Sequence, residues 1–420
     1  MLVMQDTLQH LTDRILQATH SGQPLRLRGG GTKDFLGQSL QGEVLDTRAY
    51  SGILSYEPSE LVITVRGGTP LAEVEAALAE KGQSFAFEPP HFGQGATIGG
   101  MVAAGLSGPA RASVGTVRDF VLGARVINGK GEHLTFGGQV MKNVAGYDVS
   151  RLLAGSWGQL GLITEVSLKV LPVAPGEATL VCAGVNQAQA LTLINQWGGQ
   201  PLPLNASAWV YDTTASPAQD FFFVRLRGAV AAVDAAVTKM SADVQALGAQ
   251  VTRMSADDVA ADWTASGEQT LDFFKAPTNQ DCLWRLSVPQ TAPVLDVRVN
   301  GAACAQYIEW HGAQRWLWAP ASAASQVREA AANAGGHATL FRASSAQGAP
   351  AMRRTTSSAA RASPSAEWSP PGSRCHLRTP RCFPHRSMAH RHDSGVKSAC
   401  SSSISRARSR WNTPQSKAAL

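Results

Sequence analysis

Residues 89 to 108 read PPHFGQGATIGGMVAAGLSG, and this stretch of small residues, poor in charge, decides which fold the rest can build. It lacks the large side chains that fill a core. Its glycines and alanines either bring backbone close to a bound group or let elements pack tightly. Gly93-x-Gly95 invites comparison with the dinucleotide fingerprint GxGxxG, but the third glycine falls at Gly99, one residue late, and no strand leads directly into it. That fingerprint is excluded on spacing and context. Thr97, Ile98, Gly99 and Gly100 are instead expected to present backbone N–H groups to an anion. Ala103, Ala104 and Gly105 would let a flat group lie against the backbone. A small-residue helix packed tightly for its own sake is the plainer alternative.

Upstream, LRLRGGGTK, Leu25 to Lys33, alternates as a short strand and breaks into three glycines. In Arg28, Gly29, Gly30, Gly31, Thr32 and Lys33 the glycines permit positive φ, so that successive N–H groups converge on an anion while Lys33 adds charge. No GxxxxGK[ST] is present, so this is not a Walker loop; an ordinary Gly-rich turn is the alternative. Before it, Leu8, Leu11, Ile15 and Leu16 mark an amphipathic helix. After it, LVITVRGGTP predicts a buried strand from Leu61 to Val65, a Gly67-Gly68 turn and a helix. Thr69 is the expected N-cap, Pro70 the first helical residue, Leu71, Val74 and Leu78 the apolar face, and Gly82 the stop. Downstream of the Gly/Ala stretch, VRDFVLGARVINGKGEHLTF predicts two strands joined by an Asn128-Gly129 hairpin turn, and GLITEVSLKVLP a strand ending at Pro172.

From about Pro175 to Arg342 Ala-rich helical stretches, such as 229 to 247, alternate with the aromatic strands FFFVRLRG, LWRLSVP and QRWLWAP. This predicts a second α+β domain. Residues 343 to 420 differ again, with 17 Ser, seven Pro and 13 Lys or Arg against two acids. Such a segment cannot bury enough apolar surface to offset the entropy of ordering it, and disorder is expected. The formal charge of +6 divides into about −5 for the first 342 residues and +11 for the tail, so a nucleic-acid or anionic-membrane reading would rest on the tail alone. Cys182, Cys282, Cys304, Cys375, Cys382 and Cys400 form no CxxC pair and read as reduced thiols rather than cluster or zinc ligands, so no metal is expected. No apolar run reaches a membrane span, and the start has no export signal; a cytoplasmic protein is expected.

RGGGT after a strand, PP with ATIGGMVAAG some 60 residues on, VGTVRDFVLGARVINGKGE, and KNVAGYDVSRLLAGSWGQLGLITEVSLKVLP, in that order over residues 25 to 171, resemble the vanillyl-alcohol-oxidase or PCMH-type FAD-binding family. The longer blocks EPPHFGQGATIGGMVAAGLSGP, RDFVLGARVINGKGEHLTFGG and VMKNVAGYDVSRL, with GGHATLFR near Arg342, are similar to the E subunits of bacterial glycolate oxidases. The resemblance implies an α+β chain: a PCMH-type FAD-binding domain of two α/β subdomains over 1–173, a smaller α+β cap or subunit-contact domain over 174–342, and the tail over 343–420.

It also implies FAD, with Arg28 to Lys33 as the pyrophosphate loop and Thr97, Gly99, Gly100 and Pro90 opposite. Ser113 and Gly115 would lie beside the isoalloxazine or ribityl chain, and Gly158, Gly161, Leu162 and Ile163 by the adenine half. Covalent relatives carry a His near the first loop; here none stands from Gly29 to Phe35, so FAD is expected to be noncovalent. His91 and His337 are the candidate proton acceptors for oxidation of a 2-hydroxy acid, with a structural or solvated role as the alternative for each. Arg285 and Arg315 are candidate carboxylate clamps, packing at the core rim being the simpler reading. Tyr147 and Asp148 are read as a structural pair or flavin-edge residues. The implied partners are a second flavin subunit and an iron–sulfur subunit, with peripheral membrane association through them; a flavin-binding assembly or relay subunit is the alternative function, and nucleic-acid binding through the tail a remoter one. Members of the family end in an NPGR-like segment that the tail does not contain, and a shifted reading frame near codon 343 would explain this together with the changes in composition and charge.

Overall fold

The computed structural model describes residues 2–37, 40–138, 148–215 and 217–345. The expectations about the tail, apart from its first three residues, and about Tyr147 lie outside these. Among the described residues no helix is long and apolar enough to cross a membrane.

The helix Leu2–Ser21 turns Leu11 and Ile15 onto Leu45, Tyr50, Ile127 and Leu162. Leu25–Arg28 and Glu43–Asp46 then form a two-stranded parallel sheet. A five-stranded antiparallel sheet follows, in the order Ile53–Glu57, Val62–Arg66, Leu162–Lys169, Val121–Ile127, His133–Gly137. Its central strand is buried along nearly its whole length, which is why LITEVSLK is so rich in aliphatic residues. The helix Leu71–Ala79 buries Leu71, Val74 and Leu78 completely against Ile63 and Val65, each such side chain contributing about 1.5–3 kcal/mol relative to exposure.

Two local expectations are corrected. Thr69 does not cap that helix: its hydroxyl donates to Arg66 O at 2.8 Å and accepts from Gly52 N at 2.8 Å, tying the Gly67-Gly68 turn to the neighbouring strand, and Pro70 takes the N-cap position. The loop between the strands Val121–Ile127 and His133–Gly137 is also longer than an Asn-Gly turn. Ile127 pairs with His133, and Asn128 Oδ1 accepts from Lys130 N at 2.9 Å and Glu132 N at 3.0 Å. The left-handed residue is Gly131, at φ 74°, rather than Gly129.

The later residues build an eight-stranded antiparallel sheet in the order Gln250–Met254, Gly176–Ala183, Gln219–Gly228, Leu204–Asp212, Gln306–Glu309, Gln314–Pro320, Asp281–Ser287, His337–Arg342. One face is covered by the helices Gln187–Gly198, Val230–Gln245 and Ala324–Asn333. The other carries Leu283, Tyr307, Trp316, Trp318 and Phe341, and against it pack Phe35, Phe92 and Leu106 from the earlier residues. That apolar seam is reinforced by charge. Glu88 receives Arg225 at 2.6 Å and Arg227 at 2.7 Å; burial works to raise its pKa, but the two guanidiniums outweigh it and hold the carboxyl below the ordinary range.

Candidate functional site

The loop after Leu25–Arg28 lies against the segment that leads into the helix Ile98–Ala104, and the approach is close enough to require glycine. A Cβ on Gly30 would sit 1.8 Å from the carbonyl oxygen of Gly95, and Gly31 holds φ at 71°. Among the described residues no acceptor takes a hydrogen bond from the backbone N–H groups of Gly29, Gly30, Gly31, Thr32 or Lys33. The loop is held by other groups: Arg28 Nε bonds Asp34 at 2.8 Å, Arg26 also pairs with Asp34, and Asp34 N bonds Gly31 O at 3.1 Å. Five consecutive donors without an acceptor among the described residues are left available to an anion.

Lys33 adds a charge that depends on pH. Its Nζ donates to His91 O at 3.2 Å, and burial pushes its pKa down to about 8, with Glu268 opposing part of that effect. The opposite wall is formed by Thr97, Gly99, Gly100, Ala103 and Ala104, and the end by Trp157, Gly158, Gly161, Leu162 and Ile163; together with the loop they line one cleft. Every residue expected around the FAD is on this cleft except Pro90, Ser113 and Gly115.

Two corrections concern the helix start. Ile98 N donates to Thr69 O at 3.0 Å and Gly99 N to Gly67 O at 2.8 Å, so neither can serve an anion; the Gly67–Thr69 turn, thirty residues earlier, has used them. Gly99 is glycine because of that packing, since its Cβ would lie 2.9 Å from Gly67 O. Pro90 lines two cavities toward the eight-stranded sheet. Ser113 Oγ pairs with His311 Nε2 at 2.9 Å, and Gly115, at φ 99°, ends the short helix Arg111–Val114. None of the three lines the cleft: Pro90 faces the cavities beside the eight-stranded sheet before the Ile98–Ala104 helix begins, and Ser113 and Gly115 follow Gly105, after which the chain turns toward the other half.

Trp157 was not anticipated. It lines the cleft, is 47 % exposed and has φ 54°, unusual for an aromatic residue. Its backbone N bonds Ala103 O at 2.9 Å, which pins the turn to the Gly/Ala helix. A lone Trp between glycines in AGSWGQ was the available signal.

The histidines fall elsewhere. His91 Nε2 meets Glu75 Oε2 at 2.8 Å, a hydrogen bond that raises its pKa, and its backbone N donates to Glu268 at 2.7 Å. His337 is exposed on the edge strand His337–Arg342. Arg315 is fully buried and bonds the carbonyls of Gly312, Pro293 and Ala292, so it is a packing residue. Asp148 caps the helix Val149–Leu152 through Arg151 N at 3.3 Å. Arg285 lines a small cavity with Glu309 and Gln314.

A strand feeding a glycine cradle, a small-residue helix opposite, and a flat cleft ending in glycines beside a second sheet define the FAD-binding oxidoreductases of the PCMH type. The FAD binding domain family matches residues 1–137. The chain is 43 % identical over 337 residues to glycolate oxidase subunit GlcE of Escherichia coli K12, covering 80 % of this chain and 87 % of that one. It belongs to this family of FAD-dependent glycolate oxidase subunits. Glycolate oxidase subunit GlcD of Bacillus subtilis is 32 % identical over 160 residues, 38 % of this chain and 34 % of its own length. The mitochondrial D-lactate dehydrogenase (cytochrome) of Arabidopsis thaliana is 31 % identical over 156 residues, 36 % of this chain and 27 % of its own. Among solved structures an alkyldihydroxyacetonephosphate synthase superposes with a TM-score of 0.59 at 16 % identity, over 79 % of this chain and 69 % of that one, a likeness of fold alone.

Proposed function

We propose that the chain is the FAD-holding subunit of a complex that oxidises glycolate to glyoxylate and passes the electrons through flavin to partner subunits. The run of N–H groups from Gly29 to Lys33 that find no acceptor among the described residues carries the reading, because a pyrophosphate is the part of FAD that needs converging donors. Gly31, Thr32 and Lys33 hold the pyrophosphate, Gly99, Gly100 and Ala103 give the cofactor a flat wall, and Trp157 with Gly158, Gly161, Leu162 and Ile163 borders the adenine half. FAD, when bound, supplies the acceptor for the hydride of the 2-hydroxy acid. With no His from Gly29 to Phe35, FAD is held noncovalently.

The chain divides near residue 173 into an FAD half and a second half that covers it and meets the partners. The separate hydrogen bonding of the five- and eight-stranded sheets supports that division. The partners are a second flavin subunit and an iron–sulfur subunit, and through them the complex sits at the inner face of the cytoplasmic membrane. The similarity to GlcE over most of its length, and to GlcD over part of it, supports a multi-subunit oxidase.

The test is the flavin spectrum of the purified chain under anaerobic conditions. The expected result is one FAD per chain, released to the supernatant by acid and bleached by glycolate. A flavin-free chain that takes up no added FAD overturns the cofactor reading, and a spectrum unmoved by glycolate overturns direct oxidation and leaves relay.

A further inference from the structure

The apolar face of the eight-stranded sheet also carries Arg285, Glu309 and Gln314 where the two halves meet. Register places them together: Arg285 pairs with Trp316, Gln314 with both Ser287 and Glu309, and alternation turns all three to the same side. Around them stand Leu283, Tyr307, Trp316 and Phe341, so each polar group needs a partner to offset its desolvation.

Their own bonds do not close. Glu309 Oε1 accepts from Trp316 Nε1 at 2.7 Å and from Gln314 Nε2, and burial lifts its pKa to about 7. Gln314 is 2 % exposed, and its Oε1 is buried without a hydrogen bond. Arg285 has its guanidinium 5.7 Å from the ring centre of Phe341, and among the described residues no acceptor takes a hydrogen bond from it. Both open groups line the same small cavity, together with Ser107, Gly108 and Pro109. Arg111, stacked 4.1 Å over Trp310, adds a second cation nearby; burial first and then repulsion from Arg111 lower the pKa of Arg285, and the attraction of Glu309 opposes them.

The backbone that links Glu309 to Gln314 is strained. Trp310, His311 and Gly312 have φ of 52°, 55° and 95°, three left-handed residues in a row of which two are not glycine. His311 is held there by Ser207 Oγ at 2.9 Å from its Nδ1 and Ser113 Oγ at 2.9 Å from its Nε2, and Trp310 Nε1 donates to Gly108 O at 3.0 Å. Strain of this kind persists where surrounding contacts enforce it, and it clusters at binding sites.

A guanidinium with no hydrogen-bond acceptor among the described residues and a buried carbonyl oxygen with no donor, both lining one small cavity, suit a ligand with a carboxylate and a hydroxyl donor. We propose that this cavity binds a small 2-hydroxy carboxylic acid, Arg285 taking the carboxylate and Gln314 Oε1 accepting a hydrogen bond from the hydroxyl. The choice of hydroxy acid rests on the function proposed above, whereas the binding does not require FAD.

Calorimetric titration of the full chain with glycolate, acetate and glycolamide tests this, with FAD content and melting temperature recorded for each protein. Glycolate is expected to saturate at one site, acetate to bind about tenfold more weakly for lack of the hydroxyl, and glycolamide not to bind. Arg285→Met should lose glycolate binding by about tenfold or more, and Gln314→Leu should bind glycolate no better than acetate. No saturable glycolate binding, equal binding of glycolamide, or unchanged affinity in Arg285→Met overturns the proposal. The three-ligand comparison in the unaltered chain decides it even if a variant fails to fold. Acid binding in a chain that takes up no FAD would sink the functional reading and leave the pocket, while FAD binding without acid binding would do the reverse.

Discussion

Replacing Gly30 by alanine adds one carbon where the structure has no room. The new Cβ would stand 1.8 Å from Gly95 O, 2.4 Å from Gly95 C and 3.2 Å from Ala96 N, all backbone atoms that no rotamer change can move. Ordinary contact begins at 3.4 Å, so the loop must retreat by about 1.6 Å from the segment before the Ile98–Ala104 helix. An N–H···O bond tolerates only about half an ångström of stretch before it weakens steeply, so one or more of the donors from Gly29 to Lys33 leave the pyrophosphate. A hydrogen bond to a charged group contributes about 1.5–3 kcal/mol, which sets the loss of FAD affinity at about 10- to 150-fold. Flavin fluorescence titration of the apo-protein measures it, with Gly129→Ala as the control, because nothing lies within 4 Å of a Cβ there. Gly30→Ala binding FAD within twofold of the unaltered chain, at an unchanged melting temperature, would refute the cradle.

The charge of Lys33 fades above a pH of about 8, so FAD affinity should fall as pH rises through that value, by about tenfold, and Lys33→Met should flatten the profile; a parallel fall in both proteins would remove Lys33 from the site. Glu309 has its carboxyl raised from 4.5 to about 7 by burial, so the folded state keeps a proton that the unfolded state loses. Its stability is complete below pH 4.5 and drops as pH rises to about 7, by about 3 kcal/mol, and urea unfolding of Glu309→Gln at pH 5 and pH 8 should lack that drop. Identical pH slopes would show that the residue is not buried as an acid. Glu88→Gln strands Arg225, 2 % exposed, and should cost about 3–5 kcal/mol, whereas Asp296→Asn at an exposed pair should change unfolding by less than about 0.5 kcal/mol; equal effects would deny the seam its charge network.

What could be read from sequence was local. RGGGTK announced a tight loop because consecutive glycines have few other uses after a strand, and Leu71, Val74 and Leu78 announced a helix face through spacing alone. The Ile98 and Gly99 donors were misread because their acceptors, Thr69 and Gly67, are thirty residues away and meet them only through tertiary packing. Pro90 opens the Gly/Ala stretch and Ser113 and Gly115 follow it, but tertiary packing turns Pro90 to the cavities by the other sheet, and the chain leaves the cleft after Gly105 before it reaches Ser113 and Gly115. The cavity of Arg285, Glu309 and Gln314 exists only once strand register is fixed; in sequence these are isolated residues on three separate strands. Nothing in the local sequence separates Arg285 from Arg315, which spends its donors on three carbonyls.

A density map of the FAD-loaded chain tests the central claim most directly. The account predicts pyrophosphate oxygens about 2.7–3.2 Å from the backbone nitrogens of the Gly29–Lys33 loop, with the flavin ring against Ala103 and Ala104 and no covalent link to protein. FAD bound away from that loop, or joined to a side chain, would contradict it.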